Sequence, residues 1–212
     1  MRLGVIGPCL DEVVALANAA HVLLDQTKVE RVLYLGKDDA LDRVVASWAH
    51  DIVGSNPSES VVFERAARSC VNASPEEIEL FVASERARRR LRILTTVPAP
   101  PGRTIELFDG RIAVFVYDKA LLDEDDIAGA SVLVFGKSDK ALAHRVGSRT
   151  FVTPGRLAPE TRCGVAVIDD EGGNGIQIDF LDKETGVVLS SERIEGRVRA
   201  QGKLKVQGPS GS

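Results

Sequence analysis

The 212 residues carry a formal net charge of −4, with 27% charged and 44% hydrophobic side chains. That balance suits a globular protein with a sizeable core and gives no general attraction to nucleic acid or anionic lipid. No apolar run is long enough to span a bilayer, and three scattered cysteines form neither a disulfide framework nor a zinc site, which points to a reducing cytoplasm.

The opening "MRLGVIGPCLDEV" turns acidic directly after its apolar core, unlike a signal peptide. Leu3 to Ile6 reads as a buried strand ended by Gly7-Pro8. Asp11 is placed to cap the helix that follows, and the apolar residues from Val13 to Leu24 keep helical spacing. A second strand, Val32 to Leu35, breaks at Gly36, so the chain begins with a βαβ unit of parallel strands. From Ala40 to Leu94 the pattern is helical and offers no good strand. Leu41, Val44, Val45, Trp48 and Ile52 line one face of a helix that stops at Gly54. "SNPSES" is a loop, and "VVFERAARSCV" is a second helix. A third begins at Ser74, which forms a capping box with Glu77 behind Pro75. After the proline-rich "TTVPAPPGR" the texture becomes β. Thr104 to Phe108 and Arg111 to Tyr117 flank the hairpin pair Asp109-Gly110. "LLDEDDIAGA" is a turn or short helix, followed by strands at Val132–Phe135, Arg149–Val152, Cys163–Asp169 and Gly175–Phe180, with "DDEGGNG" a turn. Val187 to Leu189 adds a last strand, and residues 196–212 read as a polar tail beyond a single domain of 1–195.

Few residues in this series carry obvious chemistry. Cys9 stands where a strand hands over to a helix, a place that lowers a thiol pKa, yet no arginine between Leu10 and Val22 could hold a phosphate. The "GVIGP" turn lacks the third glycine of a dinucleotide fingerprint, and Pro8 removes an N–H. His21 and His50 fall on amphipathic helices, and no histidine pair has metal-ligand spacing. "ERARRRLRIL" is the strongest charge run. Glu85 can pair with Arg89 at i+4, and Arg86, Arg88, Arg89 and Arg90 make either a solvated face or a docking surface for an acidic protein.

The order of elements, together with "MRLGVIG", "VLYLGK", "RIAVFVYDK", "VLVFGKSDK" and "FVTPGRL", resembles the calcineurin-like metallophosphoesterases. Within that superfamily it is similar to the small bacterial and archaeal phosphodiesterase branch, which includes the retromer subunit. The resemblance implies an α/β fold, a four-layer α/β/β/α sandwich, with the helical segment 40–94 replacing part of the middle. It also implies that the site turns survive without their ligands. Pro8, Cys9 and Leu10 stand for Asp-x-His, and Gly36-Lys37 for Gly-Asp. Val116, followed by Tyr117 and Asp118, stands for the histidine after the hairpin strand. Lys137, Ser138 and Asp139 follow the glycine of Gly-His-x-His, and Thr153, Pro154, Gly155 and Arg156 replace Asn-Pro-Gly-Ser. The family's Gly-Asn-x-Asp turn has only Asn72 as a weak counterpart.

A two-metal hydrolase needs several carboxylates and imidazoles. Proline, leucine and valine supply no ligand atoms, and ammonium groups at Lys37 and Lys137 repel cations. The expectation is a catalytically inactive scaffold with no metal and no cofactor. Its partner would be another protein rather than nucleic acid or a membrane, with self-association left open. Two alternatives remain at this stage. One is a hydrolase with a rearranged site of Asp38, Asp39, Asp118 and Asp139. The other is a phosphate or nucleotide sensor using Lys37, Lys137 and Arg156.

Overall fold

The computed structural model describes residues 1–170 and 175–195. The central part of "DDEGGNG" and the tail from 196 onward therefore lie outside the described residues. Eleven strands form two sheets among them. In the first sheet β1 (Arg2–Ile6), β2 (Arg31–Tyr34) and β3 (Leu94–Thr96) run parallel. On the other side of β1 lie β9 (Val165–Asp169), β10 (Gly175–Leu181) and β11 (Val188–Glu195), successively antiparallel. The second sheet has the order β4 (Thr104–Phe108), β5 (Arg111–Val116), β6 (Val132–Phe135), β8 (Arg149–Thr153), β7 (Leu142–Val146). Its central three strands are parallel and its two edges antiparallel.

Period-two alternation fixes the layers. Leu3, Val5, Leu33 and Leu35 face Phe115, Val132, Val134 and Val152 across the sheet–sheet core. The intervening Ile6, Val32 and Tyr34 face the opposite way, into Leu16, Ala20 and Leu23 of α1 (Val13–Gln26) and Leu41 of α2 (Ala40–Val53). On the far side of the second sheet, Val114, Val116, Leu133 and Phe135 are covered by Leu122 and Ala130, around α5 (Glu124–Gly129). This is the α/β/β/α order that the resemblance implied. Strands buried on both faces explain the near-continuous apolar runs at 3–6 and 132–135.

The helical segment contains α2, α3 (Val62–Cys70) and α4 (Pro75–Arg90). Gly54 closes α2 in the left-handed conformation at φ 62°, and the Ser74–Glu77 capping box is present with Pro75 in the first turn. Four details differ from the sequence reading, one of them the exposed edge strand β7, which was not expected. Asp11 makes no side-chain cap; Glu12 occupies the cap position of α1 without one. Leu94–Thr96 forms the parallel edge strand β3, too short to register as a pattern. The polar stretch Val188–Glu195 continues as β11, longer than the three residues expected, because an exposed edge strand needs no apolar alternation.

Candidate functional site at the strand ends

The carboxyl ends of the parallel strands of both sheets meet along one edge. A Cβ on Gly136, after β6, would overlap the Leu35 carbonyl oxygen after β2, so only glycine lets the two sheets' turns touch. The Gly136 and Lys137 amides both donate to the Tyr117 carbonyl, at 3.0 and 2.7 Å. Leu157 N–H donates to Pro8 C=O at 2.9 Å, joining the turn after β8 to the turn after β1. The five landmark turns named from sequence are thus brought together, and main-chain hydrogen bonds hold several of them in place.

The side chains they carry are buried, singly exposed or paired with one another. Pro8 and Cys9 are buried and Leu10, at φ 50°, points into solvent with 57% of its surface exposed. The residue that organises this corner is one the sequence pattern did not single out. Tyr34, the last residue of β2, is fully buried, and its ring lies over Gly36, where any Cβ would collide with it. Its hydroxyl accepts from Cys9 N–H at 3.1 Å and lies 3.0 Å from Asp38 Oδ1 and 3.2 Å from Cys9 Sγ. Burial, helped by this mutual hydrogen bond, pushes the phenol pKa up. Burial likewise raises the Cys9 thiol, the reverse of what a nucleophilic thiolate requires.

The carboxylates are engaged separately. Asp38 accepts from Tyr34 and from Ala40 N–H at 3.1 Å, which makes it a turn residue at the start of α2. Asp39 pairs with Arg43 at 3.2 Å. Asp118 binds Lys137 Nζ at 2.6 Å and Ala120 N–H at 3.0 Å; the Lys137 ammonium holds its carboxyl below the ordinary range. Asp139 lies 3.4 Å from Arg156 Nε, and Arg156 also reaches Glu160 at 3.2 Å. No three Asp, Glu, His or Cys side chains among the described residues come close enough to share a metal ion. The rearranged Asp38, Asp39, Asp118 and Asp139 site is therefore not assembled.

The same pairs alter the anion-pocket idea. Lys137 and Arg156 are each neutralised by a carboxylate of this chain. Lys37, 5.7 Å from the Tyr117 ring centroid, is the one of the three without a carboxylate partner among the described residues. Two depressions flank the edge. One of about 540 Å³ is lined by Lys37, Asp38, Asp39 and Thr96, the other, of about 280 Å³, by Asp139, Pro154 and Arg156. His21, His50 and His144 are exposed on α1, α2 and β7, and Asn72, with φ 62°, is a left-handed corner between α3 and α4.

The arginine run is neither a plain solvated face nor a row of free charges. Arg88 is buried and turned inward, donating to Glu85 at 2.9 Å, to the Pro57 carbonyl at 3.0 Å and to Glu59. Glu85 does not pair with Arg89; it takes a two-pronged bond from buried Arg65 of α3 at 2.6 and 3.0 Å. Arg89 and Arg92 each reach Glu59 at 3.0 Å, and Arg90 reaches Asp25 at 3.3 Å and the Leu24 carbonyl. Of Arg86, Arg88, Arg89 and Arg90, only Arg86 is exposed without a carboxylate partner among the described residues. The charges of this run mostly bind the helical segment together.

No protein-family model and no curated protein matches the chain. Among solved structures it is similar to a novel archaeal phosphodiesterase, at 15% identity over 92% of this chain and 100% of that one, with a TM-score of 0.44. It is also similar to a predicted phosphoesterase from Streptococcus pneumoniae, at 13% identity over 92% and 98%, TM-score 0.49. A third is Vacuolar Protein Sorting 29 from Cryptosporidium parvum, at 14% over 92% and 97%, TM-score 0.47.

Proposed function

We propose that this chain is a catalytically inactive protein of phosphoesterase fold that serves as a protein–protein interaction module. The observation that carries the reading is the chemistry of the converged turns. Pro8, Leu10 and Val116 offer no ligand atoms, Lys137 sits on Asp118, Arg156 sits beside Asp139, and the Tyr34 phenol fills the corner between the first two turns. A dinuclear hydrolase would need that space for two cations and an activated hydroxide. Here a lysine and an arginine occupy the carboxylates instead. The surface left for a partner is the helical segment 40–94, where Arg86 remains exposed and Arg88 is withdrawn into the interior. No helix among the described residues is long and apolar enough to cross a membrane.

Metal analysis of the purified protein, with a hydrolysis assay on bis(p-nitrophenyl) phosphate in added Mn²⁺, is the test. The expected outcome is substoichiometric metal and no turnover above buffer. Stoichiometric metal with turnover lost in Asp139→Ala would establish the rearranged hydrolase instead. A thermal-shift titration with inorganic phosphate covers the sensor: specific binding to the folded state raises the melting temperature, and no shift is expected where two of three cations are already paired.

A further inference from the structure

The helical segment presents a face that no other part of the described residues covers. α4 turns Phe81, Glu85 and Arg88 toward its neighbours, and its opposite side carries Glu76, Glu79, Leu80, Ala83, Arg86 and Ala87, all exposed. At about 3.6 residues per turn these six share one side of the helix. Leu80, 69% exposed, stands midway along this face at its edge, where it also borders the depression between α2, α3 and α4. α3, held to α4 by the Arg65–Glu85 bond, adds an uncovered Phe63 at 83%.

A depression of about 320 Å³ lies between α2, α3 and α4, over Arg65 and Glu85. Its charged floor is already satisfied, because Arg65 and Glu85 join each other by two hydrogen bonds. It therefore makes no demand for a polar small ligand, and the open face of α4 is the stronger feature.

The charges on that face are divided along the helix. Glu76 and Glu79 stand on the N-terminal side of Leu80, and Arg86 on the C-terminal side. Small side chains, Ala83 and Ala87, lie between and beside them and allow a second helix to approach closely. A helix face that is acidic at one end, apolar in the middle and basic at the other complements itself when two copies lie antiparallel. A two-fold axis through the middle then generates an isologous dimer. The two ends attract at once, and neither Glu79 nor Arg86 has an ion-pair partner of its own among the described residues.

We propose that a second copy of this chain docks here, with the two α4 helices antiparallel. Leu80 of each copy packs on Ala83 and Ala87 of the other, and Glu76 and Glu79 of each face Arg86 of the other. The proposal rests on reading the helical segment as an interaction surface and commits it to self-association. It is independent of whether the strand-end site hydrolyses anything.

Sedimentation equilibrium on the full chain, over a range of concentration and salt, tests it. The expected result is a dimer that weakens with salt and that Leu80→Asp weakens about a hundredfold, because the symmetry removes two apolar contacts together. Leu80 is exposed in a single copy, so circular dichroism of this variant should stay unchanged. Glu79→Arg alone should weaken the dimer by facing arginine with arginine, and adding Arg86→Glu should restore it. A dimer indifferent to Leu80→Asp, or one that the second charge reversal does not restore, overturns the proposal. So does a wild-type chain that stays monomeric at all concentrations, which would leave the face to a different protein. A monomer without hydrolysis would remove self-association alone and leave the inactive-scaffold reading standing.

Discussion

Arg65→Ala is expected to destabilise the protein by about 3–5 kcal/mol, the usual cost of removing one partner from a buried ion pair. Arg65 is buried inside the helical segment and makes four hydrogen bonds: two to Glu85 and one each to the Asn56 and Ser58 carbonyls. Truncation leaves Glu85 with Arg88 only and removes two of the hydrogen bonds that hold the loop between α2 and α3. Lysine should rescue little, because a single ammonium cannot reproduce a planar fork that spans a carboxylate and two carbonyls. Chemical denaturation read by circular dichroism measures this; a loss under about 1 kcal/mol would mean the pair behaves as a surface bridge. The pH dependence follows from the same contact. The Arg65 guanidinium, against the opposing effect of burial and with help from Arg88, holds the Glu85 carboxyl below its ordinary value. A depressed folded-state pKa gives stability that is complete above the unfolded carboxylate value, about 4.3, and is lost as pH falls through the folded one. The wild type should therefore lose this contribution in acid, and the Arg65→Ala variant should lose less.

Tyr34→Ala is expected to cost about 3–5 kcal/mol, in the range of large aromatic deletions from cores. The ring is fully buried between α1, α2 and the turn at Gly36, and the hydroxyl binds Cys9 and Asp38. Tyr34→Phe separates the two contributions. It keeps the ring and leaves a buried Cys9 N–H without its acceptor, which costs about 1–3 kcal/mol. Thermal and urea unfolding of both variants check the order. A phenylalanine variant as damaged as the alanine one would show that the hydroxyl, rather than the packed ring, holds the corner.

Glycine and proline that punctuate an apolar run made the chain legible. The strands at 3–6, 104–108 and 132–135, the Asp109-Gly110 hairpin and the Ser74 cap all follow from local chemistry that tertiary packing leaves in force. The turns at the strand ends were legible for the same reason. What occupies them was only half legible. The lysines at 37 and 137 are visible in the chain, but their partners depend on which turns meet, between the two sheets for Lys37 and between adjacent strands for Lys137. Tyr34 looks like any aromatic in a strand; the one local sign is a glycine two residues on, where its ring comes to lie. The arginine run misleads because charge runs on helices usually face water. Here the acceptors, Glu59 and the Pro57 carbonyl, lie well upstream in the chain, beyond the reach of any i+4 rule.

Backbone makes the contacts that bring the strand-end turns together: Leu35 N–H to Ile6 C=O at 2.8 Å, Val97 N–H to Tyr34 C=O at 3.0 Å, Leu157 N–H to Pro8 C=O, and the Gly136 and Lys137 amides to Tyr117 C=O. The exposed side chains there add little to that frame: Leu10 points into solvent, and Lys37 over Tyr117 and Asp139 beside Arg156 make only surface contacts. A lineage with this architecture is free to exchange such residues singly, each step tolerated by the fold, so that catalysis can lapse by drift while the shape persists. The reverse route is equally short: the same frame is a ready scaffold onto which a designer can place ligand residues without first solving the problem of holding them.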